Sequence, residues 1–114
     1  MLYESEKKVL EIIWKQEGIA AKEIAKLLEP AGWSKSTTYT IISRCMEKGL
    51  VRREGKYNCY SMISREKAQQ ESIRETLDSF FDNSAVSFFA AFTETRNLSE
   101  EEKQELREMI DRLK

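Results

Sequence analysis

In the stretch WSKSTTYTIISRCMEKGL, residues 33–50, five hydroxyl-bearing side chains (Ser36, Thr37, Tyr39, Thr40 and Ser43) gather beside Arg44. With no histidine in 114 residues, none of these hydroxyls has the usual imidazole base, and zinc lacks its commonest nitrogen ligand. Cys45 and Cys59 show neither CxxC nor other metal-ligand spacing, and each sits in an apolar pattern. No glycine-rich phosphate loop is present, and the acids from Glu100 to Glu105 read as a solvated helix start, where they suit the N-terminal dipole. The expected chemistry is therefore recognition rather than reaction: no enzyme, no catalytic residue, no metal and no small-molecule cofactor. Short hydroxyls permit close approach and donate or accept hydrogen bonds, and an arginine can fork onto a planar acceptor pair or a phosphate.

Those residue types need a scaffold, and the same stretch supplies it. Placed at 100° per residue, Ile41, Ile42 and Cys45 fall on one side of a helix with Met46 at its edge. Ser36, Thr40, Ser43 and Glu47 form the opposite ridge, flanked by Thr37 and Arg44 on one side and Tyr39 on the other. Ser34 caps this helix and Gly49 ends it. Ala, Glu or Lys would make a sturdier exposed face. For any single residue, capping, solvation or packing of Tyr39 on the domain is a sufficient account. The whole face fits a helix that reads base edges in double-stranded DNA, with Thr37, Thr40 and Arg44 at the bases. Lys35, Ser36 and Tyr39 would then sit at phosphates.

Upstream, Ser5 is expected to cap a helix carrying Val9, Leu10, Ile13 and Trp14 inward until Gly18. AKEIAKLLEP gives a shorter helix with Ile24, Leu27 and Leu28 on one face and Pro30 as its stop. Downstream, LVRREGKYNCYSMI reads as two β-prone runs around Glu54 and Gly55, hence a hairpin, with Arg53 and Lys56 reaching the DNA backbone. Helix, helix, turn, helix and hairpin is the order of a winged helix-turn-helix domain, expected over residues 1–63.

Charge follows this division. Residues 1–63 carry 11 basic side chains against 8 acidic, and residues 64–114 carry 8 against 12, which returns the overall −1. Within 35–56, Lys35, Arg44, Lys48, Arg52, Arg53 and Lys56 face only Glu47 and Glu54. Such clustering suits a polyanion, or is a chance grouping on a solvated face. The apolar runs are too short to span a bilayer and no signal-like start is present, so a reduced, cytoplasmic protein is expected.

Residues 64–114 read as helical. REKAQQESIRETLDSFF forms a long helix, SAVSFFAAF is strongly apolar, and Ser99 with Glu102 makes a capping box for a last helix through Leu113. Phe80, Phe81, Val86, Phe88, Phe89 and Phe92 are too much apolar surface for so short a region to expose. A homodimer through this region is expected, which suits a palindromic operator. The fold class expected is mainly α with a small β-hairpin: a winged helix-turn-helix domain plus a C-terminal helical dimerisation region.

Trp33, Ser34, Thr37, Thr40, Ile41, Ile42, Ser43 and Arg44, written W-S-x-x-T-x-x-T-I-I-S-R, resemble the recognition helix of the penicillinase repressor family (the BlaI/MecI type, with its copper-responsive CopY branch). VLEIIW, KEIAKLL, EKGLV, GKYNCY, NSAVSFFAAF and LSEEEKQEL, in that order, are similar to family segments along nearly the whole chain. The resemblance implies a homodimeric winged-helix repressor on an operator palindrome, released when a membrane sensor peptidase for β-lactams triggers its cleavage. The cleaved bond, typically Asn–Phe, aligns with Ala91–Phe92, so the Asn is absent. The chain ends MIDRLK without the Cys-x-Cys cluster of the copper branch. Ala20 stands where the family favours a Thr-type cap. A winged helix that binds another protein and never reads DNA is the alternative.

Overall fold

The computed structural model describes all residues, 1–114. It forms two compact units, Met1–Ile73 and Arg74–Lys114, so the first extends past the division expected after Ile63.

The first unit begins with α1 (Glu4–Lys15), which buries Glu6, Val9, Leu10 and Ile13, one stripe at helical spacing. The expected cap, Ser5, lies inside the first turn. Tyr3 takes the cap position instead, because Glu6 Oε1 returns to accept the Tyr3 N–H at 2.9 Å and fixes the start there. Trp14 is half-buried, its indole N–H donating to the Ile63 carbonyl at 2.9 Å. A two-residue strand, β1 (Ile19–Ala20), leads into α2 (Ala21–Leu28). There the buried face is Ala21, Ile24, Ala25 and Leu28, while Leu27, expected inside, is 57% exposed. The two alanines allow close packing, and this rotates the face away from Leu27. Pro30 lies in a 3-10 turn, Glu29–Ala31, that ends the segment.

Helix α3 (Lys35–Glu47) starts at Ser34 and buries Thr38, Ile41, Ile42 and Cys45. Its end is a Schellman motif: Gly49 N–H donates to the Met46 carbonyl at 3.1 Å and Leu50 N–H to the Cys45 carbonyl at 2.8 Å. Gly49 takes φ +75°, which glycine adopts without a steric penalty. β2 (Val51–Glu54) and β3 (Asn58–Ser61) pair antiparallel as the expected hairpin, and β3 also pairs with β1. The sheet thus has three strands in the order β1-β3-β2, one more than expected. Val9, Leu10, Ile13, Ile24, Ile42, Val51 and Cys59 meet in one core, closing a winged helix. Ala68, early in α4 (Arg65–Phe80), is also buried, and Arg65 holds Glu11 at 2.7 Å.

In the second unit the chain turns through Asp82 and Asn83, both left-handed (φ +48° and +59°), a region these short polar types tolerate. Ser84 caps α5 (Ala85–Thr95), its Oγ accepting the Ser87 N–H at 3.1 Å. Ser99 caps α6 (Glu100–Asp111) with the expected box: Glu102 N–H donates to Ser99 Oγ at 3.1 Å, and Ser99 N–H to Glu102 Oε1 at 3.2 Å. Phe81 meets Phe88 edge-on at 5.5 Å, and Phe89 stacks on Phe92 at 6.1 Å. No side chain of this unit is fully buried. No helix is long and apolar enough to cross a membrane.

Candidate nucleic-acid interface

Helix α3 sets its hydroxyl face outward because the apolar residues between take the core. Thr38, Ile41, Ile42 and Cys45 are buried, whereas Lys35, Ser36, Thr37, Thr40, Ser43 and Arg44 are exposed. Tyr39 is half-buried, with its ring packed against the core. Together Tyr39, Thr40, Ser43, Arg44 and Glu47 line a shallow surface groove along the helix.

The first turn has a defined polarity. Ser34 Oγ accepts the Thr37 N–H at 3.1 Å and donates to Thr37 Oγ1 at 2.8 Å, and Ser36 Oγ lies 3.3 Å from Ser34 Oγ. A hydroxyl has one proton, so Ser36 is the donor of that last contact. Thr37 therefore keeps its own proton to give outward, while Ser36 turns lone pairs to solvent.

In the wing, Arg53 lies opposite Cys59 and Arg52 opposite Tyr60. Val51 and Cys59 face the core, so period two puts Arg53 on that side at the exposed end of the strand and Arg52 on the outer side. Arg52 sits over the Tyr60 ring, 4.6 Å from its centroid, and pairs with Glu54. Lys56 lies 5.4 Å from the centroid of the exposed Tyr57 ring. The wing also closes the helix that precedes α3. Ala20 has no side chain to cap α2, and the Ala21 N–H donates to the Tyr57 carbonyl at 3.0 Å instead.

The basic cluster is partly neutralised within the chain. Besides Arg52, Lys48 is held: its Nζ is 2.8 Å from Glu6 Oε1 and donates to the Met1 carbonyl at 2.6 Å. Lys35, Arg44 and Lys56 remain as outward cations, while Arg53 is exposed at the strand's end on the Cys59 side. Glu6 was not singled out by the sequence, yet it stands at i−3, i−4 and i−7 from Val9, Leu10 and Ile13, on the apolar stripe. Burial pushes its carboxyl up. The Lys48 ammonium, the Tyr3 N–H and the Arg44 charge outweigh that and hold it below the usual carboxylate value. Burial, helped by Glu6, pushes the Cys45 thiol up to about 11, and burial likewise raises Cys59. Both thiols are inert core groups. No group of three or more potential metal ligands is present.

Phe80 and Val86 are almost fully exposed, Phe89 is partly so, and Phe81, Phe88 and Phe92 are half-buried. An apolar groove in the second unit is lined by Phe88, Phe89, Phe92, Leu98, Leu106 and Met109. Ala91 and Phe92 lie inside α5, where Thr93 and Thr95 hydroxyls donate back to the Ala90 and Phe92 carbonyls.

Comparison with known proteins agrees with this arrangement. The penicillinase repressor family model matches residues 2–112. The methicillin resistance regulatory protein MecI of Staphylococcus aureus strain N315 is 24% identical over 112 residues, covering 95% of this chain and 91% of that protein. The penicillinase repressor of Bacillus licheniformis is 28% identical over 112 residues, covering 95% and 88% respectively. With a match that runs through both compact units, the chain belongs to the penicillinase repressor family, transcriptional regulators and not enzymes.

Proposed function

We propose that the chain represses transcription by binding, as a homodimer, to a palindromic operator in double-stranded DNA. The observation that carries this reading is the exposed face of α3, where Thr37, Thr40 and Arg44 stand outward on a helix whose opposite side is locked in the core. These three are the residues for base edges. Lys35 and Ser36 lie at the helix start where a phosphate is favoured, and Arg53 and Lys56 supply the wing's backbone contacts. Tyr39 keeps a supporting role at the phosphate side, with its ring anchored on the core.

Self-association through Phe80, Phe81, Val86, Phe88, Phe89 and Phe92 is supported by how little of that surface the unit covers by itself. A two-fold reader doubles the contacts on a palindrome without new residue types. Release by a membrane sensor peptidase belongs to the same reading. Cleavage at Ala91–Phe92 would require a helical turn of α5 to open.

Footprinting on the chain's own promoter region tests the reading. A protected palindrome is expected, with affinity falling steeply as salt rises. Binding without preference among duplexes and without salt dependence would instead assign the winged helix to a protein partner.

A further inference from the structure

The Glu6 side chain is fully buried in a region that packing alone would fill with carbon. Its Oε1 accepts from Tyr3 N–H and Lys48 Nζ, but its Oε2 is buried with no hydrogen-bond partner. A buried ion pair contributes little net stability, and well-packed apolar groups often replace one without loss. An unpartnered carboxylate oxygen makes the balance worse. What the pair does supply is geometry. Lys48 is the residue on which α3 ends, and its ammonium is gripped from three sides. Glu6 lies at 2.8 Å, the Met1 carbonyl at 2.6 Å, and the Tyr3 ring has its centroid 4.5 Å away. All three come from the start of the chain, 42 or more residues away from Lys48. Arg44, one helical turn before Lys48, is near enough to Glu6 to feel its charge.

We propose that Glu6 is a positioning residue for DNA recognition: by holding Lys48 it fixes the last turn of α3, and so the reach of Arg44, from a site that never touches DNA. This rests on the operator-binding reading above. A helix seated on the core by Ile41, Ile42 and Cys45 and held at its last turn by Lys48 has one seating in the groove. Freed at the last turn, it keeps its fold and its charge but spreads the Arg44 guanidinium over several positions. Specific binding then falls while binding through phosphates does not.

The experiment compares the full-length protein with Glu6→Gln, Lys48→Met and the double variant. Each is titrated against its footprinted site and against a random duplex across a salt series, with melting followed by circular dichroism. Gln keeps the volume and an acceptor for Tyr3 N–H, and Met keeps the lysine stem. The expected result is an operator affinity lower by about tenfold in each single variant, with random-duplex affinity changed by less than about twofold. The double variant should be no worse than the poorer single, as for two halves of one contact. Tighter binding by Glu6→Gln would mean that its charge merely repels DNA, and would overturn the proposal. So would a salt slope lowered by about one unit in Lys48→Met, which marks a phosphate contact. Unchanged operator affinity in both single variants, or losses shared equally by both duplexes, would overturn it too. If Glu6→Gln melts too low to assay, Lys48→Met decides alone. A wild-type protein that prefers no duplex overturns the operator reading itself, a result distinct from all of these.

Discussion

The two compact units treat apolar side chains in opposite ways. Every fully buried apolar residue lies in Met1–Ile73, where three helices and a three-stranded sheet close on one another. All five phenylalanines lie between residues 80 and 92, and not one is buried. The first unit is finished by its own chain, and its exposed face is polar. The second has well-capped helices but no core of its own, so its helices stop short of a closed fold. Capping decides where a helix starts; burial decides whether a unit stands alone. On the proposed function, the first unit reads DNA and the second couples two readers.

The largest effect that could break this contrast comes from the closed core. Ile13→Ala empties a fully buried site shared by α1, α3 and the sheet, and should destabilise by about 2–5 kcal/mol. Chemical denaturation of the first unit should report this loss at any protein concentration. Next comes Phe88→Ala, which removes the ring that meets Phe81 edge-on and lines the apolar groove. It should weaken self-association by about 2 kcal/mol, as removal of a buried aromatic anchor does. Sedimentation should show more monomer, while a melt of the first unit stays put. Were Phe88→Ala to lower the first unit's stability and leave association unchanged, the division of labour would fail.

How far this contrast was legible depends on whether a feature is local. Ser34, Ser99 with Glu102, and Gly49 were readable because each acts within a few residues. The hydroxyl face of α3 was readable because the helical period left it opposite Ile41, Ile42 and Cys45. β1 was not, since two residues make a strand only through pairing with Asn58 and Cys59, far along the chain. The buried face of α2 turned on Ala21 and Ala25, whose small size permits close packing that hydrophobicity ranks below Leu27. Glu6 was not singled out, because its partner Lys48 is 42 residues away. Assigning Arg52 and Arg53 to opposite faces needed the register that Val51 sets. Self-association of the phenylalanines was expected only from their excess over what so short a region can bury, because which residues meet is a property of two chains.

Two smaller substitutions sharpen the comparison at the DNA-facing side. Arg44→Ala should cost about 1–3 kcal/mol in operator binding and relax preference at one base position, without changing the sedimentation profile. Equal affinity and preference would remove Arg44 from the bases. Lys56→Ala should weaken all duplexes alike and lower the salt slope by about one unit, read from titrations across a salt series.

The smallest contrast sets two glutamates at the same helical position. Glu6 in α1 and Glu102 in α6 each reach back to accept the N–H of the capping residue, and each is paired with a cation. Both have carboxyls held below the usual value of 4.5: Glu6 against its burial by Lys48, Tyr3 N–H and Arg44, and Glu102 by the Ser99 N–H and Arg96. For a lowered pKa, the folded state is favoured above the unfolded value, and that advantage drains away as pH falls through the folded one. Both should therefore lose stabilisation below about pH 4.5, never on the alkaline side. They differ in surroundings. In the first pair Glu6 is fully buried although 31% of the Lys48 side chain is exposed, whereas Arg96 and Glu102 are both exposed, where salt screens them more. Glu6→Gln should flatten the acid limb of the first unit's stability curve, with less dependence on salt than the exposed pair shows. Glu102→Gln should have a weaker effect on the second unit's helicity, largest at low salt. An acid limb unchanged by Glu6→Gln would mean that Lys48 does not hold the carboxylate ionised, and the pair with the buried glutamate would then be no stronger than the exposed one.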